Sequence, residues 1–310
     1  MKTNKWNNTK EKEANEIKFS YTVLETDKEL LVKGLLKRRI GISTRLMRKL
    51  KDNDGVFKNN ERVRMNEKVS VGDLITVCLP DEHSDFESEN IEMEICYEDD
   101  DILIVNKPSG IVVHPTKGHQ TGTVANAIMY YMEKTNQQFK IRFINRLDKD
   151  TSGLLIIGKN SFSQDEMSRQ MQDNNIVKRY IAIVKGHFLE SEGTIDLPIG
   201  QNEGEIRRIV HKEGYASVTH YKVIEQFSKE YSMVQLVLET GRTHQIRVHL
   251  AHIGHPIVSD SLYGEIEPEL IKRQALHAEY LSFSHPVHKN KIEAKAKLPD
   301  DMERLIELLG

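Results

Sequence analysis

Residues 145–159 read NRLDKDTSGLLIIGK, a charged loop sequence that passes directly into the apolar stretch LLIIG. An apolar run of this length predicts a buried β-strand, and loops at strand ends often carry reactive side chains. Asp148, Asp150 and Ser152 can equally close a tight turn by accepting backbone N–H groups, with Gly153 at a positive φ angle. The segment predicts a loop leading into a central strand, and taken alone it favours a structural turn over a catalytic one.

Strand and helix patterns alternate on both sides of this segment. Strand-like stretches are DILIVNKP, RYIAIVKG and YSMVQLVLET, and helical spacing of apolar residues recurs over 123–133, 161–173 and 243–253. The alternation predicts an α+β domain over residues 91–310, built on a central mixed, largely antiparallel β-sheet flanked by helices.

The charge is distributed unevenly along the chain. The net charge is −3, yet residues 33–68 hold twelve Lys or Arg against four Asp or Glu, whereas residues 81–101 hold eleven acidic residues and no Lys or Arg. We predict a small basic α/β domain over 17–80, made of two short helices and a strand, and an acidic linker over 81–90. Residues 1–16 are polar, lack periodicity and are expected to be disordered.

The basic domain predicts a nucleic-acid-binding surface, because its like charges are concentrated on one small unit. A solvated charged face is the plainer alternative for such a run. In the second helix, Ser43 can serve as the N-cap, and the cations turn outward if Leu46 and Leu50 face inward. The candidate RNA-binding residues are Lys37, Arg38, Arg39, Arg45, Arg48 and Lys49.

A second constellation, TGRTHQIRVHLAHIGHPI at 240–257, follows the strand-like stretch before it. Thr243 can cap a helix that Gly254 ends. Arg247 lies next to the apolar stripe of that helix, so its guanidinium should be partly buried and should need a carboxylate partner. We predict Asp148 as that partner. An ordinary structural ion pair and a pair that holds a reactive acid ionised both stay open.

Two metal-binding hypotheses are disfavoured. The sequence DKDTSG from Asp148 matches the start of an EF-hand calcium loop, but the twelfth position is Lys159, where a bidentate Glu is required. At spacings of three, His249, His252 and His255 can share a helix face, yet no acidic ligand accompanies them. Histidines on the helix surface or at its C-terminal end explain the set more simply than zinc does.

The segment KRY at 178–180 opens the strand-like stretch YIAIVKG. It places Tyr180 among basic side chains at a sheet edge, an arrangement that suits stacking on a nucleobase. Packing of a single tyrosine into the core is the alternative.

These motifs occur in the order found in the RluA-type ribosomal pseudouridine synthases, which the chain resembles over nearly its whole length. The matching stretches are VNKPSGIVVHP at 105–115, NRLDKDTSGLL at 145–155, KRY at 178–180 and TGRTHQIRVHLAHIGHPI at 240–257, followed by GHPIVSDSLYG and LHAEYLSFSHP. The basic domain resembles the alpha-L RNA-binding motif that many members carry. The resemblance implies a pseudouridine synthase fold and a reaction without metal or cofactor.

The resemblance also implies roles for single residues. Asp148 corresponds to the essential catalytic aspartate, Arg247 to its basic partner and Tyr180 to the ring that stacks on the target uracil. The residues implied to bind the substrate are Arg146, which helps to hold the flipped-out nucleotide, Arg242 and Gln245. The chain departs from the family pattern at Asn145, where His is usual, and at Ser259, where Gly is usual.

The predicted function is isomerisation of specific uridines in structured RNA, with large-subunit ribosomal RNA as the expected substrate. Asp148 can attack the anomeric carbon, attack the uracil ring or abstract a ribose proton, and the sequence leaves all three routes open. We expect a cytoplasmic monomer without membrane contact and with two reduced cysteines. Two other classes stay open: a non-catalytic RNA-binding protein and a metal-dependent hydrolase.

Overall fold

The computed structural model describes residues 17–116, 118 and 120–310, so the disorder expected for residues 1–16 concerns residues outside this range. The chain divides into two compact units. The small unit contains the residues up to His83 together with Asn160–Asp165, and the large unit contains Ser84–Lys159 and Glu166–Gly310.

The small unit is built on a four-stranded antiparallel sheet in the order β1-β4-β2-β3. Its strands are β1 (Ile17–Thr22), β2 (Val56–Lys58), β3 (Glu61–Arg62) and β4 (Leu74–Cys78). Its helical elements are a 3-10 turn (Glu25–Asp27), α1 (Val32–Leu35), a π-helical turn (Leu36–Ile40) and α2 (Thr44–Asp52).

The local signals for α2 act as the sequence predicts. Ser43 is the N-cap, and its Oγ accepts the Leu46 N–H at 3.1 Å. Gly41 ends the preceding helical turn in the left-handed region at φ 84°. Leu46 and Leu50 are buried, so the polar face of α2 is turned to the surface.

After His83 the chain alternates between strands and helices. The helices are α3 (Val124–Thr135), α4 (Ser161–Gln172), α5 (Gln245–His252) and α6 (Asp300–Leu309). The strands are β5 (Glu94–Glu98), β6 (Ile102–Lys107), β7 (Arg142–Phe143), β8 (Ser152–Gly158), β9 (Val177–Lys185), β10 (Glu192–Asp196), β11 (Ile199–Gln201), β12 (Arg208–Val210), β13 (Val218–Gln226), β14 (Tyr231–Leu238), β15 (Leu276–Ser284) and β16 (Lys291–Lys295).

One ten-stranded sheet organises the large unit, in the order β10-β13-β14-β9-β15-β8-β6-β5, with β16 paired to β15 and β7 to β8. The pairing of β8 with β15 is parallel, and the other pairings in this sheet are antiparallel. Strands β11 and β12 form a separate antiparallel pair. The prediction of an α+β fold on a mixed, largely antiparallel sheet is confirmed.

Both faces of the central strands are buried, as their nearly continuous apolar sequences require. On β6, Leu103 and Val105 join one core cluster, whereas Ile102 and Ile104 join a second cluster. Apolar residues of α3, α5 and α6 pack into the first cluster, and Met167 of α4 packs into the second. The sheet is therefore packed on both faces, and the loops at its strand ends are attached to buried strands.

The acidic stretch is hydrogen-bonded to the large unit from Ser84 onward. The Ser84 Oγ accepts the Ile141 N–H at 3.0 Å, and the Glu87 carbonyl accepts the Asn126 side-chain amide at 2.8 Å. The carboxylate of Glu89 accepts a further backbone N–H at 2.8 Å. Residues 84–89 of the linker predicted over 81–90 are therefore attached to α3 and to neighbouring loops by hydrogen bonds.

Within the described residues, we find no helix that is long and apolar enough to span a bilayer. Cys78 and Cys96 are both free thiols. Burial raises the pKa of Cys96 to about 11, and this keeps the thiol protonated and unreactive.

Candidate active site

The predicted catalytic loop joins β7 to β8 and is anchored by Asn145. The Asn145 Nδ2 donates to the Leu154 carbonyl at 3.2 Å, and its Oδ1 accepts the Ile156 N–H at 2.7 Å. Both partners belong to β8. The residue that departs from the family's usual His therefore ties the loop to the strand that follows it.

The start of β8 requires a glycine. Gly153 has φ 115°, and a Cβ built at this position would lie 2.3 Å from the carbonyl oxygen of Ala278 on the parallel neighbour β15. No side chain fits into that space, and L-residues avoid this φ value. The close approach of the two strands fixes the point at which the loop enters the sheet, five residues after Asp148.

A buried lysine gathers the backbone around this loop. The Nζ of Lys107 donates to the carbonyls of Pro108, Ile111 and Lys149, each at 2.8 Å, and its side chain is fully buried at the end of β6. Burial lowers the pKa of Lys107 to about 7, while the negative charges of Asp150 and Asp148 oppose that shift. The ammonium group joins the loop to the segment after β6 through hydrogen bonds.

A second buried cation holds the other side of the loop. Arg273 donates from Nη1 to the Asp150 carbonyl at 3.2 Å, and its Nε and Nη2 contact the carboxylate of Asp301 at 2.6 and 2.8 Å. The bidentate pair fixes the guanidinium plane, so the donor aimed at the loop is fixed as well.

Arg247 on α5 lies at the centre of the site and contacts two carboxylates. Its Nη1 donates to Asp148 Oδ2 at 2.9 Å, whereas its Nε and Nη2 form a bidentate pair with Asp260, each at 2.7 Å. Burial opposes the charged form, but the hydrogen bonds and charge of Asp260, followed by those of Asp148, raise the pKa of Arg247. The predicted pairing with Asp148 is present, and Asp260 is an additional partner that sequence reasoning missed.

The two carboxylates differ in their surroundings. The side chain of Asp260 is fully buried, and its Oδ1 also accepts the N–H groups of Leu262 and Tyr263. The side chain of Asp148 is 23% exposed and opens into a cleft. Asp260 therefore holds the guanidinium in place, and Asp148 is the partner that remains accessible to a ligand.

Tyr180 of β9 forms one wall of this cleft. The residue is 7% exposed, and burial, followed by the charge of Asp148, raises the pKa of its hydroxyl. The cleft is lined by Arg146, Leu147, Asp148, Thr151, Tyr180, Leu238, Arg242, His244, Gln245, Ile246, Arg247 and Leu276. The structure thus brings Asp148, Arg247 and Tyr180 together, although they are far apart in the sequence.

Arg146 is exposed at the mouth of the cleft, where its Nη2 donates to Thr243 Oγ1 at 2.6 Å. The prediction that Thr243 caps α5 is wrong. The N-cap residue is His244, whose φ of 56° is left-handed and whose side chain makes no capping hydrogen bond. The hydroxyl of Thr243 is used instead to bridge the two loops.

Arg242 and Gln245 occupy different positions in the site. Arg242 is exposed, and its guanidinium lies 5.5 Å from the centre of the Tyr215 ring. Gln245 is 2% exposed; its Oε1 accepts the Arg242 N–H at 3.0 Å, and its Nε2 donates to the Val218 carbonyl at 3.0 Å. Gln245 also lines the cleft, so its contact with substrate stays a prediction, and its amide in addition braces the loop that carries Arg242.

Three residues that shape the site, Lys107, Arg273 and Asp260, were not assigned roles from the sequence. A lysine at the end of an otherwise apolar strand is a usable signal, since a buried ammonium needs several acceptors. Asp260 lies in the matching stretch GHPIVSDSLYG, but the sequence alone assigns it no function. Arg273 has no comparable signal, because its partners become neighbours only in the folded chain.

Ser259, the other departure from the family pattern, fits its unusual backbone. Its φ is 56°, a region where glycine is favoured. The Ser259 Oγ donates to the Glu267 carbonyl and accepts the Glu267 N–H, both at 3.0 Å. These two hydrogen bonds stabilise the turn that precedes Asp260.

His249, His252 and His255 are not among the described residues whose ligand atoms lie close enough to share a cation. His249 is buried, with Nδ1 2.9 Å from Thr219 Oγ1 and Nε2 2.9 Å from the Leu197 carbonyl, so both ring nitrogens are used within the protein. His255 is stacked on Phe188 with 3.8 Å between ring centres. The interpretation of His249 as a surface residue is wrong, because its ring is buried beneath α5.

Among the described residues, one cluster has its ligand atoms close enough to share a cation: Asp101, His285 and His288. The Nδ1 of His285 accepts the N–H groups of Val287 and His288 at 3.2 and 2.9 Å, so its Nε2 carries the hydrogen donated to Asp99 at 2.8 Å. This imidazole is already committed to the turn after β15 and is unsuited to metal binding.

The six candidate RNA-binding residues of the small unit fall into two groups, according to whether the side chain forms an ion pair. Arg39 pairs with the buried carboxylate of Asp27 at 2.7 Å, and Lys49 pairs with Glu82 at 2.9 Å. These two cations therefore have structural partners. The exposed members of the set without such an ion pair in the described structure are Lys37, Arg38, Arg45 and Arg48.

Comparison with known proteins identifies the family. The family model "RNA pseudouridylate synthase" matches residues 101–252, a range that contains Asp148, Tyr180 and Arg247. The solved structure of Human RNA Pseudouridylate Synthase Domain Containing 1 superimposes with a TM-score of 0.55 at 28% identity, covering 72% of this chain and 96% of that one.

Bacterial relatives extend the similarity over most of the chain. The chain is 40% identical over 259 residues to the uncharacterized RNA pseudouridine synthase YlyB of Bacillus subtilis (82% of this chain, 85% of the relative). It is 39% identical over 271 residues to ribosomal large subunit pseudouridine synthase D of Haemophilus influenzae (82% and 83%). With this identity and coverage, and with the site residues inside the matched range, the chain belongs to the RNA pseudouridine synthase family.

Proposed function

We propose that this enzyme isomerises specific uridines of large-subunit ribosomal RNA, with Asp148 as its catalytic carboxylate. The bond between C1′ and N1 breaks and a bond between C1′ and C5 forms. C5 gives up its proton and N1 gains one, so the RNA neither gains nor loses atoms. Similarity to relatives named for the ribosomal large subunit supports the substrate class.

The observation that carries the assignment is the Asp148–Arg247 pair at the bottom of the cleft. A buried guanidinium lies 2.9 Å from one carboxylate oxygen and can hold the carboxylate in place by a charge-assisted hydrogen bond. Attack on the anomeric carbon, attack on the uracil ring and abstraction of a ribose proton all need an oriented carboxylate. The pair supports each of these routes equally.

Tyr180 is proposed to stack on the extruded uracil. Taking a uridine out of its stack costs a few kcal/mol, least in loops and single-stranded regions. An aromatic wall beside the carboxylate offsets part of that cost, because base stacking is worth about 1–3 kcal/mol. Arg146 and Arg242, which line the cleft and are both exposed, are proposed to contact the flanking phosphates.

The small unit is proposed to bind RNA through its exposed cations. Arg45 and Arg48 on the outer face of α2 are suited to the phosphate backbone, a contact that carries no sequence information. A cavity of about 440 Å³ on the same unit is lined by Lys33, Lys51 and Arg64, and also by Asp54, which pairs with Arg62.

The catalytic assignment is tested with Asp148→Asn and the matched variant Asp150→Asn in the same loop. Asn keeps the size of Asp148 but removes its charge, so we expect no release of tritium from RNA labelled at uridine C5, and RNA affinity within about twofold of the wild type. Asp150→Asn should remain active. Turnover by Asp148→Asn would refute the assignment.

The substrate class is tested by mapping pseudouridines in total RNA from cells with and without this protein. Sites that disappear from large-subunit ribosomal RNA and return on complementation with the wild type, but not with Asp148→Asn, support the proposal. Sites lost from transfer RNA alone would contradict it.

A further inference from the structure

His244 lies close to Asp148, and the proposed function leaves it without a role. It lies between the catalytic carboxylate and Tyr263, with its Nε2 3.9 Å from Asp148 Oδ2 and its Nδ1 3.0 Å from the Tyr263 hydroxyl. The imidazole and the Tyr263 ring meet edge to face, with 5.7 Å between their centres. The side chain is 12% exposed and lines the cleft.

The hydrogen bonds around Tyr263 favour one tautomer of the imidazole. The Tyr263 oxygen accepts the backbone N–H of Arg208 at 2.7 Å, so its own hydrogen is available for His244 Nδ1. A neutral imidazole that accepts at Nδ1 carries its hydrogen at Nε2. That N–H is the group facing Asp148.

The surroundings keep the imidazole neutral at physiological pH. Burial lowers the pKa of His244, and the positive charges of Arg247 and Arg208 act in the same direction. The negative charges of Asp148 and Asp260 oppose them without reversing the shift. A neutral N–H donor beside a carboxylate can orient that carboxylate without neutralising it.

We propose that His244 is a positioning residue for Asp148: its Nε2–H and the Arg247 guanidinium together hold Oδ2, leaving Oδ1 to face the substrate. The inference rests on the proposed catalytic role of Asp148. A separation of 3.9 Å is longer than a hydrogen bond, and catalytic contacts often shorten when a ligand fills the site. We expect a small rotation of the partly exposed Asp148 side chain to close this gap when RNA binds.

The backbone at His244 makes a discriminating experiment possible. Its φ of 56° is tolerated by Asn better than by most residues. His244→Asn retains an oxygen near the position of Nδ1, which can accept from Tyr263, but has no group at the position of Nε2. His244→Gln is longer and carries an N–H donor that reaches approximately the Nε2 position.

The readout is steady-state turnover and RNA affinity for both variants. We expect His244→Asn to lower kcat by about 10- to 100-fold, the effect of a misplaced catalytic group, with KM changed by less than about threefold. His244→Gln restores the donor, so its decrease in log kcat should be at most about two thirds of the decrease found for His244→Asn. A residue that only shapes the loop would not be rescued by a change of donor position.

Tyr263→Phe provides a second test that leaves the strained backbone untouched. Removal of the hydroxyl frees Nδ1 and allows the hydrogen to move from Nε2, so kcat should fall by a smaller factor than in His244→Asn. The double variant His244→Asn/Tyr263→Phe should be no slower than His244→Asn alone, because both changes act through one hydrogen.

Wild-type kcat in His244→Asn, equal losses in the Asn and Gln variants, or a loss confined to KM would each overturn the inference. Asp148→Asn measured in parallel separates the two proposals. An inactive Asp148→Asn beside a fully active His244→Asn overturns the role of His244 alone. An active Asp148→Asn overturns the catalytic assignment and, with it, this inference.

Discussion

The positively charged side chains of the two units work under different physical conditions. In the large unit, Lys107, Arg247 and Arg273 are each less than a tenth exposed, and each donates several hydrogen bonds to fixed partners. In the small unit, Arg45 and Arg48 are exposed to solvent. A buried cation holds its hydrogen-bond partners in position, so its removal leaves buried polar groups without a partner. An exposed cation acts through long-range electrostatic interactions that salt screens, so its removal has a small effect that depends on the salt concentration.

The largest effect is expected for Arg247→Met, which removes the cation from two carboxylates at once. It leaves the fully buried Asp260 unpaired, so we expect the free energy of unfolding to fall by about 3–5 kcal/mol. The rate of pseudouridine formation should fall at least about a thousandfold, because Asp148 loses its fixed donor. Urea unfolding followed by circular dichroism and the tritium-release assay measure the two effects.

Arg304→Met is the matched control, because Arg304 is exposed on α6. It should leave both the unfolding midpoint and the rate unchanged. If Arg247→Met were as stable as the wild type, the buried pair would contribute little net stability and the contrast between the two units would fail.

The second effect is expected for Lys107→Met, which keeps the length of the side chain but removes its three donors. Three partly buried carbonyls lose their partner, so the free energy of unfolding should fall by about 3 kcal/mol. The loop that carries Asp148 is held through the Lys149 carbonyl, so kcat should fall more than KM rises. Lys297→Met, at an exposed position, is the control, and equal behaviour of the two variants would contradict the role of burial.

The sequence predicted the elements of the large unit because apolar periodicity reports directly on burial. The apolar run LLIIG forms most of the central strand β8, and the sheet is mixed and largely antiparallel as expected. The pairing of Asp148 with Arg247 followed from the same logic, since an arginine next to the apolar face of a helix needs an acid. These inferences use local patterns or a single unsatisfied charge.

The sequence could not supply the rest, because it depends on which distant residues become neighbours. Whether Asp260, Arg273 or Gln245 contacts a ligand or braces a loop depends on tertiary contacts with residues that are distant in the sequence. The left-handed start of α5 at His244, where Thr243 was expected to cap, likewise reflects a tertiary bond between Thr243 and Arg146 that overrides the local signal. Charge runs are equally ambiguous, since Arg39 in the basic run has a buried partner in Asp27.

A third prediction applies the same contrast to histidines. Burial lowers the pKa of His277 to about 4 from the usual 6.5 of an exposed imidazole. At a pH between these two pKa values, His277 is protonated in the unfolded chain and neutral in the folded chain. The stability that depends on neutral His277 is therefore fully present above about pH 6.5 and is lost as the pH falls towards 4. The contribution amounts to about 3 kcal/mol over that window.

Replacement His277→Asn should flatten the acid side of the stability curve by this amount, because the variant has no imidazole to protonate on unfolding. Asn can still approach Ser152 Oγ, which lies 2.9 Å from Nδ1 in the wild type. The exposed His252→Asn should leave the curve unchanged. Parallel curves for the wild type and His277→Asn from pH 4 to 7 would disprove the assignment.

The smallest effects are expected on the surface of the small unit, where Arg48→Gln and Arg39→Gln are compared. If Arg48 contacts an RNA phosphate, its loss should weaken binding a few-fold for every RNA tested and reduce the slope of log affinity against log salt by about 0.7 to 0.9. Arg39→Gln should instead lower the stability of the small unit, because the buried carboxylate of Asp27 loses its partner. Titration of labelled RNA at several salt concentrations, with hydrogen exchange of the small unit, distinguishes the two. The reverse outcome, a lower salt slope for Arg39→Gln and local unfolding for Arg48→Gln, would show that burial does not separate structural from RNA-binding cations in this chain.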